Sequence, residues 1–285
     1  MQIFHDHRCV AYGLAGHPER PQRISGSAAL LRARHPEWPW RQSEMATREE
    51  LLRAHSPEHL NLVANARQDL DADCPAYADI YQHAARAAGC AIATARAAAS
   101  GQRGFSLMRP PGHHASRDHV MGFCYFNHIA LAAFDALARG AKRVAIWDFD
   151  AHHGNGTEAL VAGHEQIRFA SIHQYPGWPG TGMSSFGNIY NYPIAPFSER
   201  KKHVAAVQRA LDKLLEFEPE LLLVSAGFDA YRDDPITEMT LEREDFSFFG
   251  TRLREADIPA AAILEGGYSD KLPELIDAFL SSWNH

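Results

Sequence analysis

Asp148, Asp150 and His152 stand two residues apart in the stretch V-A-I-W-D-F-D-A-H-H-G-N-G-T at 144–157. The stretch opens apolar and β-favouring and closes in Asp, His and Gly. On a strand that runs on through them, all three side chains point to one face. Carboxylates and an imidazole converging at a strand end suit a divalent metal such as zinc. A plain strand-to-helix turn capped by Asp accounts for one Asp, but not for two Asp, two His and two Gly together. His113 and His114, adjacent after Arg109-Pro110-Pro111-Gly112, are candidate acid and base groups. Neighbouring loop histidines are more often surface residues, so alone this pair is a weak signal. Trp178, in the Pro- and Gly-rich loop 175–182, is either a packed anchor or a pocket wall.

Buried strands have to position these groups. Strands are predicted at 105–108, from 144 into the Asp-His run, at 167–173, at 221–226 and at 260–264. The 221–226 run is apolar almost throughout, as in a strand covered on both faces. Between them, helices are predicted at 23–34, 55–67, 79–100, 128–137, 201–217, 246–254 and 273–283. The long one is Ala-rich from Arg86, which favours helix and close packing. Thr47 and Glu50 form a capping-box pattern for a helix to about Ala54. Alternating strands and helices make the fold class α/β: a single domain over 1–285, with a central parallel β-sheet flanked by helices. In such a sheet the active site lies at the strand C-terminal ends. Asp150, His152, Asp229, His113, His114 and Tyr268 all stand just beyond predicted strand ends. His17-Pro18-Glu19-Arg20-Pro21 reads as a rigid Pro-punctuated turn, and 68–75 mostly as a solvated acidic linker.

With 285 residues and 46% hydrophobic content, the chain can bury a sizeable core. No apolar run approaches the roughly 18 residues of a membrane span, and no signal-peptide pattern opens the chain. A membrane partner is therefore not expected. Four cysteines lie far apart with no C-x-x-C pair, which fits reduced thiols in a cytoplasmic protein. A net charge of -7 disfavours a nucleic-acid partner and mildly attracts cations. No feature of the sequence defines an oligomeric state.

Taken in order, Arg109-Pro110-Pro111-Gly112-His113-His114, Gly122-Phe123-Cys124-Tyr125-Phe126-Asn127, the 148–157 run, Ser225-Ala226-Gly227-Phe228-Asp229 and Glu265-Gly266-Gly267-Tyr268 form a specific set. Together with His17-Pro18-Glu19-Arg20-Pro21, they resemble the histone deacetylase superfamily, within the arginase–deacetylase fold, over nearly the whole chain. Asn155-Gly156-Thr157 and Glu265-Gly266-Gly267-Tyr268 look more like class II enzymes and their bacterial relatives.

The resemblance implies Asp150, His152 and Asp229 as ligands of zinc, with ferrous iron as the alternative. Three protein ligands leave a coordination position open, the mark of a catalytic site. It also implies His114 as general base and then acid, and His113 as a largely electrostatic partner. Asp148 would back His113 and Asn155 would back His114. An Asp raises the basicity of its histidine more than a neutral Asn does, so His113 should be the more readily protonated. Tyr268 would donate to the developing oxyanion, a contact typically worth about 3 kcal/mol. Gly266 and Gly267 would supply the tight turn before it.

Phe123 and Trp178, with Gly122 and Gly267, match the walls of the family's substrate tunnel, and Ile236 falls at its rim. Facing aromatic walls suit a methylene chain. Ile236 replaces the acidic gatekeeper associated with polyamine preference in one branch. The family's rim Asp that grips the substrate matches either Asp73 or Asp79. Asp148, Asp150, His152, Ser171 and Ile172 match an inner monovalent-cation site, usually potassium.

The function expected is zinc-dependent deacylation of an acylated lysine side chain or a small acylated amine. An acetylpolyamine amidohydrolase is the first alternative. The short 64–77 region lacks room for the insertion that such bacterial enzymes carry. A non-catalytic acyl-lysine-binding protein is the second alternative. An arginase-like ureohydrolase would need a second metal and more Asp ligands.

Overall fold

The computed structural model describes all residues 1–285. Eight strands form one sheet: β1 (Gln2–Phe4), β2 (Trp40–Arg41), β3 (Gly104–Ser106), β4 (Val144–Asp148), β5 (Ile167–Gln174), β6 (Ile189–Ile194), β7 (Leu221–Ala226) and β8 (Ala260–Leu264). Their order is β2-β1-β3-β8-β7-β4-β5-β6. Every neighbouring pair is parallel. The α/β architecture expected from the alternating pattern is therefore the one found. All residues of β3, β4, β7 and β8 are buried, as required of parallel strands covered by helices on both faces.

The helices follow the predicted order with shifted ends. The Ala-rich run folds as Ile80–Ala99, and the final helix as Leu272–Asn284. The Thr47–Glu50 capping box forms, but its helix is only Arg48–Leu51. The following helix is Pro57–Ala64, capped by Ser56. Strands β1, β2 and β6 and the helix Asn155–Val161 have no counterpart in the sequence reading. The first two strands are too short to show a period, and Pro193 interrupts β6.

One sequence expectation is corrected. Strand β4 stops at Asp148, so Asp148, Asp150 and His152 do not share one strand face. The chain turns after Asp148, and Phe149 and Ala151 enter the core with 0% exposure. The ring of Phe149 meets that of Phe228 at 6.1 Å. Each Phe precedes a predicted metal ligand, Asp150 or Asp229. One aromatic contact in the core thus anchors both ligand-bearing loops, and truncating either ring typically costs about 3–5 kcal/mol.

Candidate active site

The central four strands, β3, β8, β7 and β4, are consecutive in the sheet. Their carboxyl ends deliver His113 and His114, Tyr268, Asp229, and Asp150 with His152, respectively. Four segments distant in sequence thereby meet at one edge, where open parallel sheets bind their ligands.

The His152 Nδ1 lies 2.9 Å from Asp229 Oδ2 and 3.3 Å from Asp150 Oδ1. The ligand atoms of these three residues all lie within 4.8 Å of one another. Backbone amides hold the carboxylates in place. Asp150 accepts from Gly266 N at 2.7 Å and from His152 N at 2.9 Å, and Asp229 accepts from Ala151 N at 2.8 Å. A Cβ on Gly227 or Gly266 would run into Asp150 Oδ2 or Asp229 Oδ2, so only glycine lets those backbones close on the carboxylates. Both acids are essentially fully buried. Burial, then the neighbouring Asp150 carboxylate, pushes the Asp229 carboxyl up. For Asp150, burial is outweighed by His113 and His152, and its carboxyl is pushed down. Two buried carboxylates facing one imidazole are a costly arrangement that a divalent cation would offset. The donor set fits zinc or ferrous iron.

The paired histidines are buried and differ in their support. His113 Nδ1 lies 3.0 Å from Asp148 Oδ2, and His114 Nδ1 lies 2.7 Å from Asn155 Oδ1. The Asn155 amide oxygen can only accept, so the His114 Nδ1 carries the hydrogen and donates. That leaves the Nε2 of His114 with a free lone pair. Burial works against a charged His113, but the Asp150 and Asp148 carboxylates override it and push its pKa up to about 10. Burial, followed by the His113 and His152 rings, holds His114 well below its ordinary value. The two imidazoles thus lean in the expected directions.

These groups open into a cavity of about 310 Å³, at the lower end of small-ligand pockets. His114 and Tyr268 are buried in its depth beside the part-buried His152, whereas Trp178 and Ile236, 43% and 37% exposed, stand at its mouth. Trp178 is therefore a pocket wall. Its ring meets His114 edge-on at 4.7 Å. Phe123 packs against Tyr268 at 5.6 Å and against His17 at 4.8 Å. Gly122 sits between these walls, where a Cβ would strike Trp178 and His114. Gly267 adopts φ 118°, a backbone position that glycine alone takes readily. Of the two candidate rim acids, Asp73 lines the cavity; Asp79 stands exposed at the N-cap of Ile80–Ala99. The 68–75 segment is thus more than a solvated linker. Asp148 and Ser171 are register partners on β4 and β5, with Ile172 following in the core.

Several supporting residues carried no signal of their own in the sequence. Arg109 is 0% exposed. It grips Glu19 through two bonds of 2.7 and 2.6 Å and the carbonyls of Cys9 and Tyr12. The His17–Pro21 turn thus supplies, through the buried Glu19, the partner of the segment leading to the histidine pair, and His17 and Pro18 wall the cavity. Arg23 donates to Gly267 O at 2.6 Å and lies 4.7 Å over the Tyr268 ring. Glu265 accepts from the amides of Gly112 and His113 at 2.7 and 3.1 Å. An Arg before two prolines needs a buried anion once its strand is central, which was the one available hint.

Comparison with known proteins agrees with this geometry. The family model described as histone deacetylase domain matches residues 17–282. The histone deacetylase-like amidohydrolase of Pseudomonas aeruginosa is 35% identical over 286 residues, covering 90% of this chain and 73% of that protein. Acetylpolyamine amidohydrolase 2 of the same organism is 36% identical over 211 residues, covering 70% of this chain and 61% of that protein. The solved HDA15 HD domain superposes with a TM-score of 0.91 at 31% identity, covering 100% of this chain and 91% of that one. From its matched length and its agreement with these deacetylases and amidohydrolases, the chain belongs to the histone deacetylase domain family of amide-hydrolysing enzymes.

Proposed function

We propose that residues 1–285 are a single zinc-dependent deacetylase domain that removes acetyl or another short acyl group from an amine. The observation that carries this reading is the cluster of Asp150, His152 and Asp229 at one narrow cavity lined by His152, His114 and Tyr268, with His113 packed against His114.

Asp150, His152 and Asp229 would hold the metal. When bound, zinc supplies Lewis-acid polarisation of an amide carbonyl and lowers the pKa of water. His114, neutral and oriented by Asn155, takes a proton from the attacking water at Nε2 and returns it to the departing amine. His113, kept cationic by Asp148, stabilises negative charge as it develops. The Tyr268 hydroxyl donates to the forming oxyanion, and Trp178 and Phe123 seat the methylene chain and exclude water. Asp148, Asp150, His152, Ser171 and Ile172 would form the potassium site. The four cysteines are free and buried, in keeping with a reducing compartment such as the cytoplasm.

The substrate is an acylated lysine side chain or a small acylated amine. Similarity to a protein named acetylpolyamine amidohydrolase favours the small amine as a second reading, and an acidic residue at the cavity, Asp73, would attract a cationic chain. Turnover of acetyl-lysine peptides beside acetylputrescine and acetylspermidine separates the two. A kcat/KM preference of tenfold or more for either series assigns the class, and no hydrolysis of any acyl amide by metal-loaded protein sinks the proposal.

A further inference from the structure

Asp234 lies in the turn after β7, outside every group assigned above, and is 6% exposed. Its carboxylate accepts three backbone hydrogen bonds and no side-chain bond. Oδ2 takes Tyr268 N at 2.7 Å and Ser269 N at 3.2 Å. Oδ1 takes Ile236 N at 3.2 Å. Tyr268 and Ile236 both line the catalytic cavity, one in its depth and one at its mouth. They are joined to each other through this one carboxylate.

The turn that carries Asp234 is itself fixed. Asp234 N donates to Tyr231 O at 2.9 Å, and Thr237 Oγ1 donates to the carbonyl of Asp229. Asp234 is thus rigid relative to the ligand-bearing end of β7, whereas Tyr268 follows two glycines, one at φ 118°. A hydroxyl that follows two glycines needs its backbone restrained to sit where an oxyanion forms, and the Asp234 bonds add to those that Asp150 and Arg23 make to the glycines.

We infer that Asp234 is a positioning residue for Tyr268, one that sets the oxyanion donor and the Ile236 side of the entrance with a single group. This rests on the reading of Tyr268 as the oxyanion donor. Asn at this position keeps the shape but loses the charge, and either turn of its amide sets an NH2 against backbone N–H groups, that of Ile236 or those of Tyr268 and Ser269. Glu keeps the charge but carries the oxygens one methylene further. Both variants therefore break the clamp in different ways, and both leave the metal-ligand carboxylates in place.

The test is a double-mutant cycle on metal-loaded full-length protein, with Asp234→Asn, Asp234→Glu, Tyr268→Phe and the two pairs. Metal content and Tm are measured for each. Tyr268→Phe is expected to lower kcat by about 100-fold or more with KM nearly unchanged. Asp234→Asn and Asp234→Glu should lower kcat at least tenfold at full metal content, and should change it less than threefold when combined with Tyr268→Phe. Equal losses with and without the Tyr268→Phe change, or wild-type kcat in both Asp234 variants, overturn the inference. A Tyr268→Phe enzyme with wild-type kcat instead overturns the role given to Tyr268, a separable result. A merely structural Asp234 would lower Tm and metal content together and give additive losses.

Discussion

The side-chain carbonyl of Asn155 lies 2.7 Å from His114 Nδ1, so a neutral acceptor backs the imidazole that lines the cavity beside His152. This neutrality has a kinetic consequence. Asn155→Asp would put an anion against the same Nδ1–H and raise the basicity of the ring. A base with a higher pKa sheds its proton only at higher pH, so the acid limb of kcat/KM should move up in pH. A pH–rate profile of the variant checks this. An unmoved limb would mean that His114 does not govern it.

The buried Arg109–Glu19 pair ties the N-terminal turn to the strand before the histidine pair. Arg109→Met should destabilise the protein by about 3–5 kcal/mol, because it leaves the Glu19 carboxylate buried with a weaker partner. Arg23 Nη1, at 3.3 Å, is that partner. Replacing both residues, as in Glu19→Gln with Arg109→Met, should cost less than the sum of the single changes. Urea unfolding of the three variants measures it, and additive losses would contradict the pairing.

How much of this was legible in the residues differs between the chemical groups and their supports. Asp150, His152, Asp229, His113, His114 and Tyr268 could be read because each sits in a compact motif just past an apolar run. Asp148 and Asn155, which back the two histidines, could be read with them; Arg109, Arg23 and Asp234 could not, because each acts across a long stretch of chain. Glu19 reaches Arg109, and Arg23 reaches the Gly267 carbonyl 244 residues away. Nothing local distinguishes Asp234 from Asp233, yet one is buried under the Tyr268 loop and the other stays exposed. The end of β4 at Asp148 was also invisible, since period-two alternation continues through His152 while the backbone turns. The core demand of Phe149 and Ala151, not strand pairing, maintains that alternation.

His203 is buried in the helix Arg200–Leu215 with neither ring nitrogen bonded. Burial alone lowers its pKa to about 3. The folded chain therefore keeps this ring neutral, while the unfolded chain protonates it below about pH 6.5. Because the unfolded state then binds more protons, stability falls as pH drops from about 6.5 toward 3. His55, also pushed down to about 3 by burial and by His59, acts in the same direction. His203→Leu should narrow the gap in Tm between pH 7.5 and pH 5. An unchanged gap would show that His203 is not buried neutral.

Metal content and acyl-amide turnover of the wild type beside Asp150→Asn bear most directly on the metal-centred chemistry. The wild-type protein should carry stoichiometric zinc or iron, lose turnover to a chelator and regain it on adding metal back. Asp150→Asn should bind metal weakly and lose at least 100-fold in kcat/KM on every substrate the wild type cleaves. An Asp150→Asn protein that turns over those substrates at the wild-type rate would contradict the assignment of Asp150, His152 and Asp229 as the catalytic metal ligands.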